Sequence, residues 1–307
     1  MVLRYKVGEI VEYINWGYFF HAWGLPFKMS SIANVHRCQA CQEGWISNFS
    51  DSDTVAARDA VGLYNEAVRF LGQMQAHVEV MATFKLYDAA SHDEDIILYD
   101  ECGLETALLP MLRQQVPGQD GYCLCLADFL PSDDSGKKDK IGLFATSVSD
   151  HSPTPSASGS VKLGVSHSGT KHNTNLLLQT LSDRLAEAAA ERLHEQARKE
   201  PSIWGYATDE QLNISQMHEC KYVGIRPAVG YPCIPDLALN FMLDKLLDMK
   251  SIGIRLTEHG MMIPHASVSG LMLSNSHARY FTVGEVSDEQ AADYKRRKEL
   301  AASEFQA

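Results

Sequence analysis

The stretch at 173–200, NTNLLLQTLSDRLAEAAAERLHEQARKE, constrains the chain most: Leu177, Leu181, Leu185, Ala188 and Arg192 recur at spacings of three and four among Ala, Leu, Glu and Arg residues. This period gathers one stripe of side chains on one helix face, and Pro201 closes the helix. Any fold of the chain has to accommodate that long element. At 54–74, Val55, Leu63, Val68, Phe70, Leu71 and Met74 predict a second helix, after Asp and Ser residues suited to N-capping. Runs at 78–84, 95–99, 122–127 and 141–148 are rich in Ile, Leu, Val and Phe between Gly, Pro, Asp or Ser, and are predicted strands. An apolar helix is expected at 237–249, strand-like runs at 252–257, 268–273 and 280–285, and a charged helix at 288–300. Residues 7–20 carry β-branched and aromatic side chains until Trp23, Gly24 and Pro26 break any regular element. The segment 149–173 turns to Ser, Gly, Pro, Thr and His; it reads as a flexible loop and, taken alone, as a place for a domain boundary.

At 307 residues, 45% of them hydrophobic, the chain can fill a substantial core as one large domain or two small ones. A formal net charge of -12 repels phosphate backbones, so no nucleic acid is expected as a partner. No stretch has the uninterrupted apolar length of a membrane span. The start, MVLRYKVGEI, alternates apolar and polar residues where a signal peptide has an apolar block, so a cytoplasmic protein is expected. Seven scattered cysteines, an odd number, fit reduced thiols better than a disulfide framework.

The most unusual local sequence lies at 226–235, Arg-Pro-Ala-Val-Gly-Tyr-Pro-Cys-Ile-Pro. Pro227, Pro232 and Pro235 fix φ and remove backbone donors, and Gly230 permits a conformation closed to other residues. The ribbon is expected to be stiff and to leave carbonyls and remaining amides for something other than a sheet neighbour. Arg226 then offers a fork for a carboxylate and Tyr231 a flat surface, unless the stretch is a plain connector. At 262–270 small residues with Pro264 and Gly270 allow close backbone approach by a ligand or, as the preferred reading, by another segment. His36, Cys38 and Cys41 include a thiol pair at the spacing of half a zinc site, but no second pair follows, so no metal is expected. HExxH, GxSxG, P-loop and GxGxxG motifs are absent, which weakens protease, hydrolase, NTPase and Rossmann readings.

In order, the chain carries Tyr13-Ile14-Asn15-Trp16 with Phe19, Phe20 and Trp23; Leu126-Ala127-Asp128-Phe129; Asp139-Lys140-Ile141-Gly142; and Asp183-Arg184-Leu185-Ala186-Glu187 with Leu193-His194-Glu195. There follow Trp204-Gly205-Tyr206-Ala207, Gly224-Ile225 leading into the ribbon, Leu256-Thr257-Glu258, Ala266-Ser267-Val268-Ser269-Gly270, and Tyr280-Phe281 through Asp293-Tyr294. Over nearly its whole length this series resembles the C-terminal activation module of cobalamin-dependent methionine synthase. The pairing of Arg-Pro-Ala-x-Gly-Tyr-Pro with Ala-Ser-Val-Ser-Gly is its most specific part.

The resemblance implies an α+β fold: a single C-shaped domain over 1–307 with a central twisted, largely antiparallel sheet flanked by helices, 149–173 being an excursion within it. It implies S-adenosylmethionine along Arg226, Ala228, Gly230 and Tyr231, with Tyr280 and Phe281 beside it and Glu187 facing ligand and corrin. In the family an acidic residue meets the ligand's ammonium at the position held here by Asn15. Two departures concern docking of the cobalamin module: 81–87, taken as a loop, lacks a Gly-x-x-Pro character, and 152–172 replaces a more helical stretch. The chain carries no homocysteine, folate or cobalamin module and no Asp-x-His-x-x-Gly, so cobalamin is expected on a partner. The implied function is reductive remethylation of cob(II)alamin on a separate methionine synthase polypeptide, with a flavodoxin-like electron donor. No catalytic acid, base or nucleophile is expected here, nor turnover by the chain alone. The alternative is a non-catalytic module that docks on a corrinoid protein or senses S-adenosylmethionine.

Overall fold

The computed structural model describes residues 1–118, 121–150 and 171–304. The chain begins with β1 (Val2–Tyr5), α1 (Val7–Ile10), a 3-10 turn at Val11–Tyr13, α2 (Trp16–Ala22), a 3-10 segment at Phe27–Asn34, α3 (Gln39–Ile46) and α4 (Thr54–Met74). Strands β2 (Val78–His92), β3 (Asp95–Tyr99), β4 (Glu105–Pro110) and β5 (Asp139–Asp150) follow, then α5 (Lys171–Lys199), α6 (Ile214–His218) and α7 (Leu239–Leu247). Short strands β6 (Arg255–Leu256) and β7 (Met262–Ile263), then β8 (Ser267–Leu273) and α8 (Asp288–Glu304), complete it.

The main sheet is antiparallel throughout, in the order β4-β3-β2-β5-β8. β1 and β3 share one edge of the long β2, with Val2 opposite Thr83 and Asp88 opposite Tyr99, while β5 runs along the other, Phe84 opposite Phe144. Because side chains alternate along a strand, Val80, Ala82, Phe84, Phe144, Val148 and Val268 join a core with α5, α4 and the N-terminal helices. Met81, Leu143, Ala145, Leu271 and Leu273 join a second core with α7 on the opposite face. Helices therefore flank a central sheet. The expected stripe of α5 is buried at Leu177, Leu181, Leu185 and Ala188, and the alanines let the helix lie close enough for Thr146 Oγ1 to donate to Ala186 O at 2.9 Å. β5 and β8 stand on either side of 149–173 in sequence yet pair in one sheet. The loop expected there lies largely outside the described residues, β5 running to Asp150 and α5 beginning at Lys171.

Several expectations are corrected. Residues 122–127 are not a strand: Arg113 Nη1 donates to Cys123 O at 2.8 Å, and Asp128 accepts from Cys125 N at 2.8 Å as a 3-10 turn forms at Leu126–Phe129. Residues 280–285 are irregular, tied to the ribbon through Val283 N to Pro232 O at 3.0 Å. The segment 81–87 is the middle of β2, not a loop, and 252–257 keeps only Arg255–Leu256 as strand after a 3-10 turn at Met249–Ile252. Among the described residues no helix is long and apolar enough to cross a membrane.

Candidate functional site

The proline-containing ribbon lies along β8, and its alternate residues are engaged there. Ile225 and Leu273 exchange both backbone bonds at 2.9 Å, Leu271 N donates to Pro227 O at 3.0 Å, and Val229 N donates to Ser269 O at 2.9 Å. The expectation that these groups stay clear of a sheet neighbour is therefore wrong. Pro227 lacks a donor, but its carbonyl and the flanking amides suffice for an interrupted edge strand. Gly270 makes this possible: a Cβ there would stand 2.2 Å from Pro227 O and 2.8 Å from Ala228 Cα. The preferred reading of 262–270, close approach by another segment, is what the fold uses. Pairing through 225, 227 and 229 turns Arg226 and Ala228 to the other side.

On that side is a groove of about 570 Å³. Arg226, Ala228 and Tyr231 form its floor, and Arg184, Glu187 and Glu191 line it from α5 at spacings of three and four, one helix face. Tyr13, Asn15 and Tyr18 come from the N-terminal region, His218 and Tyr222 from the segment around α6, and Tyr280 and Phe281 from the irregular stretch before α8. Gly230 is not among the lining residues. With φ +87 it makes the turn in which its amide donates to Ile234 O at 2.7 Å.

Arg226 pairs through Nη2 with Glu191 Oε2 at 2.8 Å, both side chains 10% exposed, and its backbone amide donates to Tyr280 Oη at 2.8 Å. Tyr280 Oη in turn lies 3.1 Å from Tyr222 Oη, and Tyr231 donates to Glu187. Burial works against the Arg226 charge, but Glu191 and, more weakly, Tyr222, Tyr280 and Glu187 hold its pKa above the ordinary value. Burial, followed by the Glu187 carboxylate, raises the Tyr231 phenol, so it stays protonated and donates. Arg226 Nε and Glu191 Oε1 are buried with no hydrogen-bond partner. A donor and an acceptor thus await partners at one buried ion pair, where an unmade bond costs roughly 1–3 kcal/mol.

A family model for the activation domain of vitamin B12 dependent methionine synthase matches residues 6–299. The chain belongs to that family. It is also similar to the crystal structure of the MetH reactivation domain bound to AdoHcy, with 29% identity and a TM-score of 0.76, over 100% of this chain and 87% of that one. In this activation domain the structure brings Asn15, Glu187, Arg226, Ala228, Tyr231, Tyr280 and Phe281 to one groove. The sequence reading missed Glu191, Tyr13, Tyr222 and His218. Glu191 was within reach, one helical turn beyond Glu187; the other three reach the groove through tertiary contacts alone.

Two expected roles change. Arg226 is not a free fork, since Glu191 already occupies one of its nitrogens. Asn15 is the N-cap of α2, its Oδ1 accepting from Gly17 N at 3.1 Å and Tyr18 N at 3.4 Å. The oxygen that could meet an ammonium is thus committed to the backbone. Away from the groove, Cys38 and Cys41 come together with His36, and hydrogen bonding with His36 and then Cys41 pushes the Cys38 thiol down to about 7.

Proposed function

We propose that the groove binds S-adenosylmethionine and presents its methyl group to cobalamin carried by a separate methionine synthase polypeptide, in reductive remethylation of cob(II)alamin. A flavodoxin-like donor supplies the electron. The observation that carries this reading is the buried Arg226–Glu191 pair with one unpartnered atom on each side chain. Both atoms are buried beneath the groove surface, so an amino-acid ligand would reach them only as the pair turns, its carboxylate then accepting from Arg226 and its ammonium donating to Glu191. Glu187, the groove carboxylate not paired with Arg226, can face a sulfonium cation, and Tyr222, Tyr280 and Phe281 provide flat surfaces. The AdoHcy carried by the similar reactivation domain supports the same ligand class here. Cobalt supplies the nucleophile for methyl transfer, and these residues hold and orient the methyl donor and keep water away. The groove residues named above serve this role together with Gly230, which shapes the ribbon's turn.

Calorimetry on chelator-treated protein tests the ligand: S-adenosylmethionine and AdoHcy should bind without metal, and no heat at millimolar ligand would refute the reading. For the role, a methionine synthase lacking this module, inactivated by oxidation, should regain activity only with this chain, a low-potential reductant and S-adenosylmethionine together. Binding without recovery would instead support the docking or sensing reading, which the lack of a carboxylate at Asn15 favours.

A further inference from the structure

The first turn of α3 gathers three soft and borderline donors away from the groove. Cys38 is the N-cap of α3 and Cys41 the third residue inside it, a spacing that puts both sulfurs on one side of the turn. Cys38 makes no capping hydrogen bond with its side chain. His36, two residues earlier, folds back until Nδ1 accepts from Cys38 N at 3.3 Å; the acceptor nitrogen is unprotonated, and it would exchange this long bond for a metal ion. The three ligand atoms lie within 4.8 Å of one another. Donors in a tetrahedral zinc site, with Zn–S about 2.3 Å and Zn–N about 2.0–2.1 Å, stand roughly 3.5–3.8 Å apart. A contraction of about 1 Å, within reach of exposed side chains, would bring them to a common centre.

We propose that His36 Nδ1, Cys38 Sγ and Cys41 Sγ bind one zinc ion, with water in the fourth position. By spacing the two cysteines are only half a zinc site; the fold supplies the third ligand from just before the helix. Two sulfurs and one imidazole suit a thiophilic ion with no geometric demand of its own, and the N-terminal end of α3 favours the thiolate charge. The site is open on one side, as zinc sites with three protein ligands are. It fastens the segment before α3 to the helix and takes no part in the groove.

Reduced, metal-free protein titrated with zinc against a chromophoric chelator should take up one equivalent per chain. Cobalt(II) in place of zinc should give an intense thiolate-to-cobalt band in the near ultraviolet. Cys41→Ser and His36→Ala should each weaken zinc binding, Cys41→Ser by more than about 100-fold, beyond the 10–100-fold typical of outer-shell changes. Cys102→Ser, an exposed thiol elsewhere, should bind as the parent does. Thermal unfolding without metal should be the same for all these chains, and zinc should raise the midpoint only where all three ligands remain. Submicromolar zinc retained by the Cys38→Ser/Cys41→Ser double variant, no thiolate band with cobalt, or formation of a Cys38–Cys41 disulfide with no zinc uptake by the reduced protein would overturn the proposal.

Discussion

Arg226 and Glu191 hold each other as a largely buried pair, so their roles in stability and in binding have to be separated by pairs of changes. Removing one partner strands the other charge; Arg226→Met should cost roughly 3–5 kcal/mol in urea unfolding. Arg226→Met combined with Glu191→Leu replaces both charges by apolar groups and should recover most of that loss. Calorimetry on the double variant should still show S-adenosylmethionine binding weakened by about 1.5–3 kcal/mol, the worth of a charge-assisted bond. Full affinity in the folded double variant would mean that the pair serves the fold alone. At Asn15 the two functions meet in one side chain. Since Oδ1 caps α2, Asn15→Ala should lose about 1 kcal/mol of stability whether or not ligand is present. Asn15→Asp keeps the cap with one oxygen and adds a charge that can face the groove. It should tighten S-adenosylmethionine by roughly 1–3 kcal/mol near neutral pH, with no gain for an analogue lacking the amino group. A gain shared by that analogue would show that the charge does not meet the ammonium.

Between elements, the decisive contact is the ribbon on β8. Gly270→Ala places a methyl group against Pro227 O, a backbone atom that can give way only by moving the ribbon, so it should cost about 1–3 kcal/mol and weaken ligand binding in the same variant. Gly62→Ala is the matched control: Gly62 is exposed on α4 with nothing within 4 Å of the added carbon, and the change should stabilise by roughly 0.5–1 kcal/mol without touching affinity. If Gly270→Ala bound ligand normally, the ribbon's seat on β8 would not set the groove. Legibility at this scale follows local physics. The 54–74 and 95–99 predictions coincide with α4 and β3 because periodicity and end signals agree there. The 122–127 and 280–285 predictions fail because side-chain and backbone bonds to Arg113, Asp128 and Pro232 replace a strand partner.

Across the whole molecule, His194 links acid stability to the packing of α5. It is fully buried, Nε2 lies 3.0 Å from Tyr206 Oη, and burial, then Arg198 and Arg226, push its pKa well below the ordinary value of 6.5. The folded state therefore binds fewer protons than the unfolded one below that pH, so the stability contributed by neutral His194 is complete above 6.5 and is lost as pH falls toward the folded-state pKa. One such group adds up to about 1.4 kcal/mol per pH unit to the slope of unfolding free energy. Urea titrations between pH 6.5 and 5 should show that slope reduced in His194→Gln; an unchanged slope would assign the acid sensitivity to other groups. His194 sits in the α5 motif that the sequence made conspicuous, yet nothing local announced that it is buried. By itself the sequence determined the helices with strong periodicity, the strands β2, β3, β5 and β8, the family, and the ribbon with its companion small-residue stretch, because those features are written in spacing and backbone restriction. Only the tertiary structure decided that the ribbon is an edge strand and that Arg226 is held by Glu191. It also set Tyr13 and Tyr222 beside residues far away in the chain. Such pairings depend on which buried groups find partners when distant segments meet, and spacing along the chain carries no record of that.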